Sequence, residues 1–122
     1  MPNTLPRIAL TSGDPAGIGP DLCIQLAQQP LACQLIVLAD PDVLQQRAQQ
    51  LNLPLEIQLF DEQQVVTAHT SGKLVVLPCA IAETVEAGVL NKNNSAYVLN
   101  TIATATKGCL SGLFTAMVTA PV

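Results

Sequence analysis

The residues Thr11-Ser12-Gly13-Asp14-Pro15-Ala16-Gly17-Ile18-Gly19-Pro20 concentrate glycine, proline and one carboxylate in a single turn. They follow the apolar run Ile8-Ala9-Leu10 and precede Asp21–Gln29, a helix-forming stretch. A glycine-rich turn between a first strand and a first helix is where α/β folds place ligands. Amide groups at a helix start lack intrahelical partners, and the helix dipole favours an anion there. The order Gly13-xxx-Gly17-x-Gly19 is not the dinucleotide G-x-G-x-x-G, and no Gly-Lys-Ser/Thr follows as in a Walker A loop. Gly17 and Gly19 would let a ligand approach the backbone, while Pro15 and Pro20 stiffen the turn. Asp14 has two readings. It contacts substrate or cofactor, or it is satisfied by N–H groups of a tight βα turn.

Other polar residues offer less. Asp40 ends a second apolar run, where a Rossmann protein carries its ribose-binding acid. The context Asp40-Pro41-Asp42 also makes it a full helix N-cap, which the residues favour. His69 is the sole histidine and sits in the polar segment Thr67–Ser71, with no cluster of further ligands. A metal site needs three or more converging ligands, so a solvated loop histidine is expected. Ser12, Ser71, Ser95 and Ser111 lack a G-x-S-x-G elbow. Thr119 lies at the carboxyl end of the last apolar run, a favoured ligand position, although Pro121 would end a strand there in any case.

The elements that position these residues follow from pattern. Gln34–Ala39 and Gly72–Pro78 read as buried strands, and Leu55–Phe60 alternates as a half-exposed strand near an edge. A helix starting at Asp40 carries Leu44, Ala48 and Leu51 on one face and ends at Asn52. Cys79–Lys92 gives mixed signals and reads as a loop. Asn93 or Asn94 caps a long helix with Val98, Ile102, Ala105 and Cys109 as its stripe, widened by Leu99, Ala103 and Thr106. Gly112 ends that turn, and Leu113–Thr119 is the last strand. Strands alternating with helices predict a three-layer α/β/α arrangement on a mostly parallel sheet.

Composition sets limits. Hydrophobic residues make up 49% of the 122 residues and charged ones 11%, so a packed aliphatic core is expected. The net charge is −4, and the basic residues Arg7, Arg47, Lys73, Lys92 and Lys107 are scattered. No basic stripe suggests nucleic acid, no apolar run approaches a membrane span, and the start has no signal-peptide layout. A cytoplasmic location is therefore expected. Cys23, Cys33, Cys79 and Cys109 form no CxxC pair and are expected to be reduced structural thiols. The sequence stops at the carboxyl end of an apolar strand with no helix after it, which predicts one incomplete α/β domain over residues 1–122, a fragment or truncation.

In order along the chain, Thr11-x-Gly13-Asp14-Pro15-Ala16-Gly17-Ile18-Gly19-Pro20-Asp21, Ala39-Asp40, Ala87-Gly88-x-Leu90, Asn94-x-x-Tyr97-Val98, Gly108 and Val118-Thr119-Ala120-Pro121-Val122 resemble the 4-hydroxythreonine-4-phosphate dehydrogenase (PdxA) family. The first loop is also similar to the start of isocitrate and isopropylmalate dehydrogenases, a related fold. The resemblance implies NAD-dependent oxidation of 4-phosphooxy-L-threonine. Decarboxylation then gives 3-amino-2-oxopropyl phosphate for pyridoxal 5'-phosphate. It implies a divalent metal (Zn, Mg or Co) as Lewis acid, two domains around a cleft, and a homodimer. The family's metal-binding histidines, its substrate histidine–threonine pair and its phosphate-holding basic residues lie beyond the Thr-Ala-Pro-Val motif. No catalytic or metal-binding residue is therefore assigned in this chain, and His69 matches none of them. Gly13, Asp14, Gly17, Gly19 and Thr119 are the candidates for lining the cofactor or substrate cleft. The alternatives are a dehydrogenase of a related four-carbon phosphorylated hydroxy acid, or a non-catalytic phosphate- or nucleotide-binding α/β module.

Overall fold

The computed structural model describes residues 5–79 and 94–121. The expected loop beyond Cys79, with its Ala87-Gly88-x-Leu90 motif, and Asn93 lie outside the described residues, as does Val122. The elements run β1 (Arg7–Thr11), α1 (Gly19–Ala27), β2 (Gln34–Ala39), α2 (Pro41–Leu51), β3 (Glu56–Leu59), β4 (Lys73–Pro78), α3 (Ser95–Ser111) and β5 (Ala116–Thr119). The strands form one sheet in the order β3-β4-β2-β1-β5, and every neighbouring pair is parallel.

Successive side chains of a strand point to opposite faces, and two apolar layers result. Leu10, Leu35, Val37, Ala39, Leu74 and Val76 meet Cys23, Ile24 and Ala27 of α1 and Leu44 and Ala48 of α2. Ala9, Ile36 and Leu38 meet Tyr97, Val98 and Ala105 of α3, with Cys79 and Phe114. The α/β/α layering expected from the sequence is thus present, with β2 buried along its whole length. A central parallel strand must be apolar on both faces, which is why Leu35–Ala39 shows no alternation.

Local chemistry sets the helix ends. Asp40 is extended at φ −77° and ψ 120°, and its carboxylate accepts the Asp42 N–H at 2.9 Å. Pro41 then opens α2, and Asn52 closes it in the left-handed region at φ 56°. In α3 the buried face differs from the stripe expected. Tyr97, Thr101 and Gly108 join Val98 and Ala105 inside, whereas Leu99 is 66% exposed and Ala103 and Thr106 face outward. Thr101 turns its hydroxyl back to the Val98 carbonyl at 2.7 Å, so a polar residue enters the core with its donor satisfied. The last strand also begins later than expected. Phe114 leaves the strand direction to pack into the core, and its N–H bonds the Gly108 carbonyl at 3.1 Å.

The Phe114 ring lies where a side chain on Gly108 would stand. In Gly108→Ala, helix propensity would contribute about 1 kcal/mol of stability. Overpacking a buried ring costs about 1–3 kcal/mol. Phe114 is only 2% exposed and has no free space to turn, so net destabilisation is expected. A urea midpoint for Gly108→Ala at or above that of the parent chain would contradict this.

Candidate functional site

Strand order locates the crevice. The connection through α1 carries the chain from β1 to β2 on one side, while α3 carries it from β4 across to β5 on the other side of β1. The two connections use opposite faces of the sheet, as right-handed crossovers require. The direction of travel therefore reverses between β1 and β5, and open α/β sheets bind ligands at the carboxyl ends of such strands. The Ser12–Ile18 loop follows β1, and Ala120–Pro121 follows β5. Both candidate segments from the sequence meet at this point.

Their contact is intimate. Thr11 pairs with Thr119, and the Ala120 N–H reaches the Thr11 carbonyl at 2.9 Å. Gly13 has φ +73°, and a Cβ on it would overlap the Pro121 carbonyl oxygen. A Cβ on Gly19 would overlap the Ser12 carbonyl oxygen and press on the Ala120 side chain. The expectation that Gly19 leaves room for a ligand is thus met differently. Gly13 and Gly19 let backbone approach backbone, and the protein itself fills both places. Gly17 is half-buried, and its nearest neighbours belong to Asp14. Thr119 is exposed beside the loop.

Asp14 is half-buried, and its carboxylate accepts the Ala16 N–H at 2.8 Å. The tight-turn reading is therefore realised, and the second carboxylate oxygen is still able to accept from a ligand. Arg47 of α2 holds the loop from behind. One of its guanidinium nitrogens donates to the Gly17 carbonyl at 2.9 Å and to Asp21 Oδ1 at 2.7 Å, and the other to the Pro15 carbonyl at 2.8 Å. It is 6% exposed, so all of this takes place away from bulk water. The sequence carried a signal for it. Arg47 falls three residues after Leu44 and one before Ala48, on the apolar face of its helix.

A second polar group lies under the loop. The buried Tyr97 oxygen accepts the Asp40 N–H at 2.9 Å and is 3.4 Å from Ser12 Oγ. Ser12 in turn reaches the Leu38 carbonyl at 3.4 Å. Asp40 itself is 8% exposed and serves as the cap of α2. Burial pushes the Tyr97 hydroxyl up to about 12, opposed by its bonds to Ser12 and Asp40. Burial also raises the Cys79 thiol, helped by the charge of Asp40. Cys23 is pushed up to about 12 by burial. His69 is not part of this site. It lies toward the amino ends of the strands, where its N–H bonds the Cys33 carbonyl and Nε2 bonds the Ala27 carbonyl, each at 2.8 Å. It pins a loop to the end of α1, so it is not the solvated histidine expected.

The residues do not assemble a metal centre: among those described, no group of three His, Cys, Asp or Glu side chains converges. Nor do they form a dinucleotide cradle, since the places left by Gly13 and Gly19 are filled and Asp40 is engaged as a cap.

Two measurements test this description. Gly13→Ala combines left-handed strain with overlap of the Pro121 carbonyl, whereas Gly72, at φ +82°, has open space around it. Left-handed strain alone costs about 1–3 kcal/mol, so Gly13→Ala should destabilise clearly more than Gly72→Ala. Equal denaturation midpoints for the two would refute the contact. The second test is pH. Tyr97 and Cys23 hold their protons more tightly folded than unfolded, so their stabilisation is complete below about pH 8.5. It falls from about pH 9 for Cys23 and from about pH 10 for Tyr97, up to about pH 12, by on the order of 1.4 kcal/mol per unit per group. Urea unfolding from pH 8 to 11 should show this decline, with a shallower slope for Tyr97→Phe. A flat profile would contradict it.

Comparison with known proteins agrees with the architecture. The family model described as pyridoxal phosphate biosynthetic protein PdxA matches residues 31–122. The 4-hydroxythreonine-4-phosphate dehydrogenase of Serratia proteamaculans is 51% identical over 116 residues, covering 95% of this chain and 35% of that protein. The enzyme of that name from Methylococcus capsulatus is 48% identical over 117 residues, covering 96% of this chain and 36% of its own length. The crystal structure of a 4-hydroxythreonine-4-phosphate dehydrogenase from Burkholderia phymatum shares the fold at a TM-score of 0.85 and 22% identity, over 98% of this chain and 37% of that one. The structure of that enzyme from Klebsiella pneumoniae gives a TM-score of 0.78 at 25% identity, over 95% of this chain and 37% of that one. The chain thus spans about a third of the length of the curated relatives it matches. With the strand order, the loop and the family match in agreement, this chain belongs to the PdxA family of pyridoxal phosphate biosynthetic proteins.

Proposed function

We propose that this chain supplies the N-terminal wall of the active-site crevice of an NAD-dependent dehydrogenase acting on 4-phosphooxy-L-threonine, in the synthesis of pyridoxal 5'-phosphate. The identity of 51% over 95% of the chain to a 4-hydroxythreonine-4-phosphate dehydrogenase carries this reading. Its placement rests on the strand order, in which the chain steps from β1 to β2 on one side and β5 is added on the other side of β1. In this reading residues 1–122 are part of the first of two domains, in a cytoplasmic homodimeric enzyme. Residues beyond this chain would, in the same reading, hold NAD, which supplies hydride-accepting chemistry, and a divalent metal, which supplies a Lewis acid.

The chain's own residues bind and orient. Asp14 presents a carboxylate oxygen that can accept a hydrogen bond from a hydroxyl or ammonium group of a substrate. Gly13, Gly17 and Gly19 shape the loop, and Thr119 offers a hydroxyl on the far side of the crevice. Proton and hydride transfer are assigned to no residue here, since the described residues fit neither metal nor dinucleotide on their own.

A chimera tests the proposal. Residues 1–122 would replace the matching part of the Serratia proteamaculans relative, leaving the remainder of that protein intact. The chimera should reduce NAD with 4-phosphooxy-L-threonine, and the 122-residue chain alone should not. A folded chimera without turnover would overturn the assignment, and turnover by the chain alone would overturn its role as one wall.

A further inference from the structure

We propose that Arg47 is a positioning residue: it aims the Asp14 carboxylate and the Ile18 amide of the loop toward the crevice. The inference rests on reading that crevice as the ligand site. The Arg47 guanidinium binds the carbonyls of Pro15 and Gly17 and is itself anchored by Asp21 on α1. No peptide bond among the described residues is cis. In a trans peptide the C=O of one residue and the N–H of the next point in opposite directions. Drawing the Pro15 carbonyl toward α2 therefore turns the Ala16 N–H away from α2. The Asp14 carboxylate is found on that N–H, at 2.8 Å. Drawing in the Gly17 carbonyl turns the Ile18 N–H the same way, beside the exposed Ile18 side chain.

One rigid, planar fork thus fixes two peptide planes, and those planes decide where a carboxylate and an amide face. Lysine could keep the charge beside Asp21 but offers a single point donor, so it cannot hold both carbonyls in this geometry. The site also explains why a cation is buried in an acidic chain. A guanidinium has no acceptor of its own, and here carbonyls and a carboxylate meet its donors.

Arg47→Lys and Arg47→Met in the 122-residue chain, followed by amide hydrogen exchange, test the proposal. Exchange at Ala16 and Gly17, whose N–H groups are bonded to Asp14, should speed up at least about tenfold in Arg47→Met while Ile36–Leu38 of β2 stay protected, with Arg47→Lys intermediate. In the chimera described above, KM for 4-phosphooxy-L-threonine should rise while kcat changes much less. Unchanged loop exchange, or equal acceleration in the loop and β2, would refute positioning. Should Arg47→Met fail to fold, Arg47→Lys alone decides by the same comparison. An inactive chimera with Arg47 intact would sink the functional reading, while the exchange experiment would still settle what Arg47 does to the loop.

Discussion

The pairing of β1 with β5 is the constraint on which the crevice depends. Without it β1 would be an edge strand, with no strand on its far side to form a second wall. The pairing is held at both ends. At the amino end the Thr115 N–H bonds the Arg7 carbonyl at 2.8 Å. At the carboxyl end the Ala120 N–H bonds the Thr11 carbonyl, and Gly13 accepts the Pro121 carbonyl against its bare Cα. β5 is nevertheless sparsely covered, as is β3 at the opposite edge. Val118 stands in register with Leu10 yet is 53% exposed, and β5 contributes nothing to the layer beneath α1 and α2. Main-chain pairing and the α3 side therefore hold β5.

Two buried polar groups adapt this frame at its ligand end. Arg47 reaches the loop from α2, and Tyr97 reaches the β2–α2 junction from α3. Arg47 ties two neighbours on one face of the sheet, and Tyr97 ties α3 to the sheet, where apolar contacts alone would leave them free to slide. An apolar face is non-directional, whereas a hydrogen bond to one carbonyl specifies an orientation. Both groups have satisfied partners, which keeps their burial affordable in free energy.

Much of this was legible in the residues. Asp40-Pro41-Asp42 encodes a cap whose chemistry is complete within three positions, and its helix begins where they say. The unbroken Leu35–Ala39 run foretold a central strand, and the alternation of Leu55–Phe60 foretold an edge one. The misreadings share a cause. His69 was expected in solvent, and Thr101 fell outside the stripe expected for α3, but each finds a carbonyl partner in the fold. Such carbonyl partners do not show in a pattern of apolar residues. Gly19 was expected to leave room for a ligand, and Ser12 and Ala120 occupy that place. A missing side chain marks a close approach, but the sequence does not say whether ligand or protein approaches.

The contact between Gly13 and Pro121 has a consequence in time. Its partners lie at opposite ends of the chain, as do Arg7 and Thr115, 108 residues apart. Translation at about 5–20 residues per second delivers the second partner roughly 5 to 20 seconds after the first. Until then the loop has only its local bonds and, once α2 exists, the grip of Arg47. The loop thus leaves the ribosome well before it can reach its final shape, because Pro121 must emerge first.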